Sequence, residues 1–293
     1  MKKIYSQSKK LGQRVIEKYY KMKYDSGIHV MEKDWDNLII LDACRYDYFE
    51  KEIRLDGKLN SVISQGSTSW QFIENNFVDR EFLDTVYVSS NPHIAKINND
   101  AFYHINMLLN KWDSELQTIF PAEVVDASIE THRKFPDKRI IIHFMQPHAP
   151  YIGPTGDEIR NSVDDLRGWD RNLENLSGTK PIKAAQEGKI SKEMIRKAYS
   201  ENLNIVLSEL EDLLPSLHGK TVITADHGEL LGDRSFIKQL YGHPPIYAPE
   251  LRKVPWFIID NSDRRKITHE KPEDDIKFDK EKMNEQLEAL GYR

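Results

Sequence analysis

A handful of short stretches in this 293-residue chain carry side chains that could do chemistry together. Asp42 closes the apolar run of NLIILDACRYD. Ser67, Thr68 and Ser69 follow Gly66 in SVISQGSTSW. His143 and His148 lie in RIIIHFMQPHAPY, Asp226 and His227 end KTVITADHG, and His243 sits in YGHPPIYAPELRKVPWFII. Taken singly, each has an ordinary reading: an Asp or a Ser/Thr after a strand caps a helix or turn, and a loop His is hydrogen-bonded. Their recurrence at five strand ends argues for one shared site. Two carboxylates and an imidazole form a donor set for one divalent cation, zinc or manganese. A hydroxyl bound to such a cation loses its proton more readily and becomes a nucleophile. Asp42, Asp226 and His227 are therefore expected to hold a metal that activates Thr68 or a neighbouring serine, Ser67 or Ser69.

Elements that end together must position these residues. NLIILDA, NSVIS, DTVYVSS, AEVVDAS, RIIIHFM, KTVITAD and VPWFIID are short, β-branched and largely apolar on both faces, as buried parallel strands are. Between them lie helical patterns. The clearest runs from Ser191, a suitable N-cap, to a stop at Pro215, with apolar residues at Ile195, Ala198, Leu203, Val206, Leu207, Leu210 and Leu213. A further helix is expected from about Ser69 through WQFIENNF, its N-terminus adding positive potential for an anion. Alternating strands and helices predict an α/β fold, a doubly wound, mostly parallel sheet with helices on both faces. In such sheets ligands bind beyond the carboxyl ends of the strands.

Composition is that of an ordinary globular chain: 39% hydrophobic, 30% charged and a net charge of −5, which gives no reason to expect nucleic acid as a partner. Cys44 is the single cysteine, so no internal disulfide forms and a cytoplasmic setting is favoured. No apolar run reaches the roughly 18 residues of a membrane span, and no secretory leader is evident. Residues 1–24 carry eight lysines and arginines against Glu17, with Leu11, Val15, Ile16, Tyr19 and Tyr20 at roughly helical spacing. The first expectation is a solvated helix packed on the domain. The second is peripheral contact with an anionic membrane surface at its inner face. The chain is thus expected to divide into a basic helical segment at 1–30, a catalytic domain at 31–260 and a charged tail at 261–293. That tail reads as a mobile segment followed by a short helix packing Met283, Leu287 and Leu290.

In their order, these motifs resemble the alkaline phosphatase and sulfatase superfamily. DHGELLGD together with LRKVPWFII is the most specific part, LEALGY resembles the close of many members, and the resemblance covers roughly residues 36–260. It implies an alkaline-phosphatase-like fold and a sulfatase-like, metal-dependent phosphoesterase or phosphotransferase. Such an enzyme moves a phosphate ester, less readily a sulfate ester, through a covalent intermediate on a threonine or serine hydroxyl. The resemblance implies metal ligation by Asp42, Asp226 and His227, with Thr68 as metal-bound nucleophile and Ser67 and Ser69 as alternatives. His148 and His243 match histidines that bind a second metal or contact the transferred group, where they stabilise its charge or protonate the leaving group. Two-metal members add a carboxylate four residues before the middle histidine; that position is Phe144, so one metal is expected. No Cys/Ser-x-Pro-x-Arg string occurs, which argues against formylglycine sulfatase chemistry. The single-metal transferases of phosphoethanolamine or phosphoglycerol are similar in ligand set, which puts glycan- and lipid-linked esters among the substrates to consider. Arg45 is expected either to reach the substrate phosphate or to form a salt bridge, Glu229 to orient the His227 imidazole, and His143 to be structural. The alternatives are a catalytically silent member that binds a glycan or partner, and a peripheral membrane protein whose basic helix is its main feature.

Overall fold

The computed structural model describes residues 26–97, 100–162, 180–234, 239–260, 263–271 and 280–289; the basic segment 1–24 lies outside them. The strands are β1 (Asn37–Leu41), β2 (Lys58–Ile63), β3 (Phe82–Ser89), β4 (Phe102–Met107), β5 (Arg139–Phe144), β6 (Lys220–Ala225), β7 (Leu230–Arg234), β8 (Gln239–Gly242) and β9 (Lys253–Asp260). The helices are α1 (Tyr46–Glu52), α2 (Ser69–Phe77), α3 (Pro121–Lys134), α4 (Pro154–Asn161), α5 (Lys180–Gln186), α6 (Lys192–Leu213), α7 (Pro249–Arg252) and α8 (Lys280–Ala289). Seven strands form one sheet in the order β2-β9-β6-β1-β5-β3-β4, in which β9 runs antiparallel to its neighbours, while β7 and β8 form a separate hairpin.

β1 shows why the sheet is double-faced. All five of its residues are buried. Ile39 and Leu41 pack with Val124 and Val125 of α3 and with Leu203, Val206 and Leu210 of α6. Leu38 and Ile40 pack on the opposite side with Phe72, Ile73 and Phe77 of α2. Full burial of each such side chain contributes roughly 1.5–3 kcal/mol, so a run apolar on both faces belongs at the centre of a covered sheet. The mostly parallel α/β sheet flanked by helices agrees with the expectation.

Register then does the positioning. Leu41 pairs with Ala225 on β6 and with Phe144 on β5. The residues that follow, Asp42 and Asp226, therefore leave the sheet side by side at its carboxyl end.

Three local expectations fail. AEVVDAS is not a strand but the start of α3: Pro121 occupies the first turn, and buried positions recur at Val124, Val125, Ser128, Thr131 and His132, a helical period. β4 and the β7–β8 hairpin were not among the expected strands. Nor is the whole of the tail loose. Residues 263–271 are pinned to the domain by Arg264 on Asp34 (2.7 Å) and Asp36 (2.6 Å), and by buried Lys138 on Thr268 Oγ1 (2.8 Å) and Glu270 (3.0 Å). In α8, Leu287 is buried beside Leu109, whereas Leu290 and the Met283 side chain lie outside the described residues. Among the described residues no helix is long and apolar enough to cross a membrane.

Candidate active site

Asp42, Asp226 and His227 converge as expected, with ligand atoms all within 4.8 Å of one another. The turn after β1 is held hard. Ala43 adopts φ of 59°, a conformation that costs a residue with a Cβ about 1–2 kcal/mol. Its N–H donates to Asp226 Oδ1 (3.0 Å), its carbonyl accepts from the Tyr199 hydroxyl (2.7 Å), and the Arg45 N–H donates to that hydroxyl (2.9 Å). Gly228, after His227, has no room for a side chain, since a Cβ there would meet Glu250 O at 2.1 Å. The His227 ring is oriented by its own backbone: Nδ1 lies 2.8 Å from Gly228 O. A carbonyl only accepts, so Nδ1 carries the proton and Nε2 turns a lone pair toward Asp42 Oδ1 and Asp226 Oδ2, both 3.5 Å away.

The hydroxyl at this cluster is not that of Thr68. Thr68 is the N-cap of α2, its Oγ1 accepting from Gln71 N–H at 3.2 Å. Ser67 Oγ donates to Gln71 Oε1 (3.0 Å). Ser69, fully buried in the first turn, places Oγ 3.2 Å from His227 Nε2 and 3.4 and 3.5 Å from the two Asp42 oxygens. One residue in a helix is about 100° of rotation, so capping by Thr68 points the next side chain into the site. Gly66 allows the tight entry, because a Cβ there would lie 2.4 Å from Phe72 N.

A second cluster adjoins the first. His148, Glu229 and His243 also bring ligand atoms within 4.8 Å of one another, and the His243 ring centroid lies 4.7 Å from that of His227 and 5.1 Å from that of His148. His148 N–H donates to Asp42 O, and its Nδ1 is 2.5 Å from Ala149 O, which leaves Nε2 as an acceptor. Glu229 does not orient His227; its oxygens lie 3.3 and 3.4 Å from His243 Nδ1. The carboxylate of this cluster is Glu229; position 144, a Phe, contributes none.

The charge balance is unusual for a protein interior. Asp42, Asp226 and Glu229 are buried, and among the described residues no lysine or arginine bonds to Asp42 or Asp226. Arg45 is committed elsewhere, to Asp47 (2.7 Å), Asp233 (2.8 Å) and Glu229 O (3.2 Å), so the expected contact with substrate gives way to the salt-bridge reading. Burial, then the neighbouring Asp226 and Glu229 charges, raise Asp42 well above the usual carboxylate range; burial raises Asp226 as well. Burial holds His227 well below its ordinary value and His148 at about 3. His243 is also penalised by burial, but the Glu229 carboxylate outweighs that and raises it. Asp226 Oδ2 is buried with no hydrogen-bond partner. Buried polar atoms are rarely left so. Two crowded acids, an aimed imidazole lone pair, a hydroxyl and an orphaned carboxylate oxygen together fit a divalent cation.

Sequence reasoning missed three contributors. Asn91, after β3, donates Nδ2 to Asp42 Oδ2 at 2.8 Å. His93 is buried next to the cluster: burial, then Lys96 and the imidazoles of His243, His143 and His227, push its pKa to about 2. Tyr87 reaches His143 (2.9 Å). The SSNPH string holding the first two carries no motif, and only the sheet order brings it to Asp42.

No family model matches the chain, and no curated protein matches it. Among solved structures it is similar to the soluble domain of lipooligosaccharide phosphoethanolamine transferase A from Neisseria meningitidis (14% identity over 75% of each chain, TM-score 0.45). It spans 47% of that integral membrane protein at full length. It is also similar to the C-terminal periplasmic domain of EcEptC from Escherichia coli in complex with Zn (11% identity, 80% of this chain and 76% of that one, TM-score 0.49). A third is a phosphonate monoester hydrolase from Silicibacter pomeroyi (12% identity, 87% and 72%, TM-score 0.48). Likeness this distant concerns the fold; what the site does must follow from its own residues.

Proposed function

We propose that the chain is a metal-dependent phosphoester hydrolase or phosphotransferase of the alkaline phosphatase and sulfatase superfamily, with Ser69 as its nucleophile. The observation that carries this reading is Ser69 Oγ, 3.2 Å from His227 Nε2 and within 3.5 Å of both Asp42 oxygens, in a buried cluster with excess acid and an orphaned carboxylate oxygen. Asp42, Asp226, His227 and Ser69 would hold a zinc or manganese ion, which would supply a lowered hydroxyl pKa and charge neutralisation on the ester. Ser69 Oγ, its hydroxyl proton already released to water at the lowered pKa, attacks phosphorus, the bond to the leaving oxygen breaks, and phosphoserine forms. His243, raised by Glu229, is placed at that oxygen: with no second cation bound it is protonated and gives the oxygen its proton, whereas as a ligand of a second cation it would instead help to hold the charge that develops there. Water or an acceptor alcohol then removes the phosphoryl group, releasing Ser69. His148, Glu229 and His243 form a second donor set of one acid and two imidazoles, suited to a second cation or to the equatorial phosphate oxygens. The α2 N-terminus adds positive potential at the transferred anion.

Phosphate rather than sulfate esters are proposed because the chain lacks the formylglycine string. A panel of phosphomonoester, phosphodiester and sulfate-ester substrates, with and without chelator, tests the reading. Chelator-sensitive turnover of a phosphate ester is expected; a sulfate ester as best substrate, or turnover unaffected by chelation, would overturn it. A cytoplasmic setting with membrane contact through residues 1–24 belongs to the same proposal. Liposome co-sedimentation with and without that segment tests it, and equal sedimentation of the two forms counts against it.

A further inference from the structure

His143 was expected to be structural, yet it lies beside the orphaned oxygen of Asp226. Its Nε2 is 3.8 Å from Asp226 Oδ2, and both atoms are buried without a hydrogen-bond partner. On its other side, Nδ1 is 2.9 Å from the Tyr87 hydroxyl. The three residues come from β3, β5 and the end of β6, with β1 between the last two. We infer that Tyr87 and His143 form a fixed donor relay that positions Asp226 as a one-oxygen cation ligand, an inference that rests on the proposed metal site.

The tautomer follows from charge. If Nδ1 donated to Tyr87, the Nε2 lone pair would face a carboxylate oxygen in a dry interior. If the Tyr87 hydroxyl donates to Nδ1, Nε2 carries the hydrogen and turns its positive end to Asp226. The second arrangement is the favourable one. At 3.8 Å this is a charge–dipole contact rather than a hydrogen bond. Asp226 Oδ1 is already occupied by the backbone N–H groups of Ala43 (3.0 Å) and His227 (2.8 Å). With Oδ1 taken and Oδ2 flanked by His143, the carboxylate can present one oxygen to the cluster in one orientation. Tyr87 in turn cannot swing away. It is fully buried, edge-on to Phe77 and Phe102 at centroid distances of 5.7 and 5.2 Å. Tyr87 and His143 are thus positioning residues: they act on the cation only through Asp226.

The test is a double-mutant cycle read by metal affinity rather than activity. Zinc and manganese Kd values are measured by chelator competition for wild type, Tyr87→Phe, His143→Gln and the double variant, alongside metal-free melting. Residues that hold a metal ligand in place are worth roughly 10–100-fold in affinity. His143→Gln is expected to weaken binding by about 10-fold or more, and Tyr87→Phe by several-fold. In the His143→Gln background, Tyr87→Phe should cost nothing further, because the hydroxyl has lost the ring through which it acts. A packing role would lower the melting temperature and leave Kd unchanged. Wild-type affinity in both single variants, or fully additive losses, would overturn the relay. Should His143→Gln fail to fold, Tyr87→Phe, which removes one oxygen, decides alone: unchanged affinity sinks the inference. Wild type that binds neither ion would sink the metal reading itself, and the relay with it.

Discussion

Ser69 Oγ lies 3.2 Å from His227 Nε2, whereas the preceding hydroxyl, Thr68 Oγ1, is spent on Gln71 N–H within its own helix. Neighbouring residues of similar chemistry therefore have separable roles. Ser69→Ala should lower turnover by several orders of magnitude, the scale of losing a nucleophile. Thr68→Ala should cost about 1 kcal/mol of stability, as loss of a helix cap does, with a much smaller change in rate. Steady-state kinetics and urea unfolding of the two variants check the division; the reverse pattern would restore Thr68.

Metal binding should compete with protons. Asp42 and Asp226 have pKa values raised above 3.8 by burial, so the metal-free fold keeps protons that the unfolded chain gives up. Their contribution to metal-free stability therefore falls as pH rises above that value. A cation replaces the protons, and the gain in melting temperature on adding metal should be larger at about pH 8 than at about pH 6. Asp226→Asn should largely abolish the gain. Equal gains at both pH values in wild type would mean that these acids are not the ligands.

The buried imidazoles act in the opposite sense. His148 is held at about 3 and His143 at about 4, against an ordinary 6.5, chiefly by burial. Each contributes stability that is complete above 6.5 and lost as pH falls toward its folded value. In chelator-treated protein, His148→Gln should flatten the dependence of unfolding free energy on pH between about 6.5 and 4. An unchanged slope would place His148 in water rather than in the interior.

The second cluster predicts a stoichiometry. With Glu229 3.3 Å from His243 and both near His148, wild type should take up two equivalents of zinc at saturation. Glu229→Gln should retain one. Native mass spectrometry reads this directly, and a single equivalent in wild type would leave His148 and His243 as contacts to the transferred group.

What the sequence made legible follows from where information is local. Asp42 and Asp226 stand out because each ends a buried apolar run, and the β1–β6 register then joins them without further specification. Choosing between Thr68 and Ser69 needs the phase of α2, which a shift of one residue reverses. AEVVDAS misled because Val124 and Val125 have strand character while Pro121 and the helical spacing of the buried side chains prevail. β4 escaped notice because FYHINM mixes polar with apolar residues at the sheet edge. Asn91 and Tyr87 were invisible for a different reason: a single long-range contact defines the role of each.

The most direct test of the central claim is to trap the covalent intermediate. Metal-loaded protein is quenched in acid during turnover of a phosphate ester, digested and mapped by tandem mass spectrometry. One phosphoryl group on Ser69, absent from Ser69→Ala and from metal-stripped protein, is the predicted result. Phosphate on Thr68 or Ser67, or rapid turnover that persists in Ser69→Ala, would contradict it.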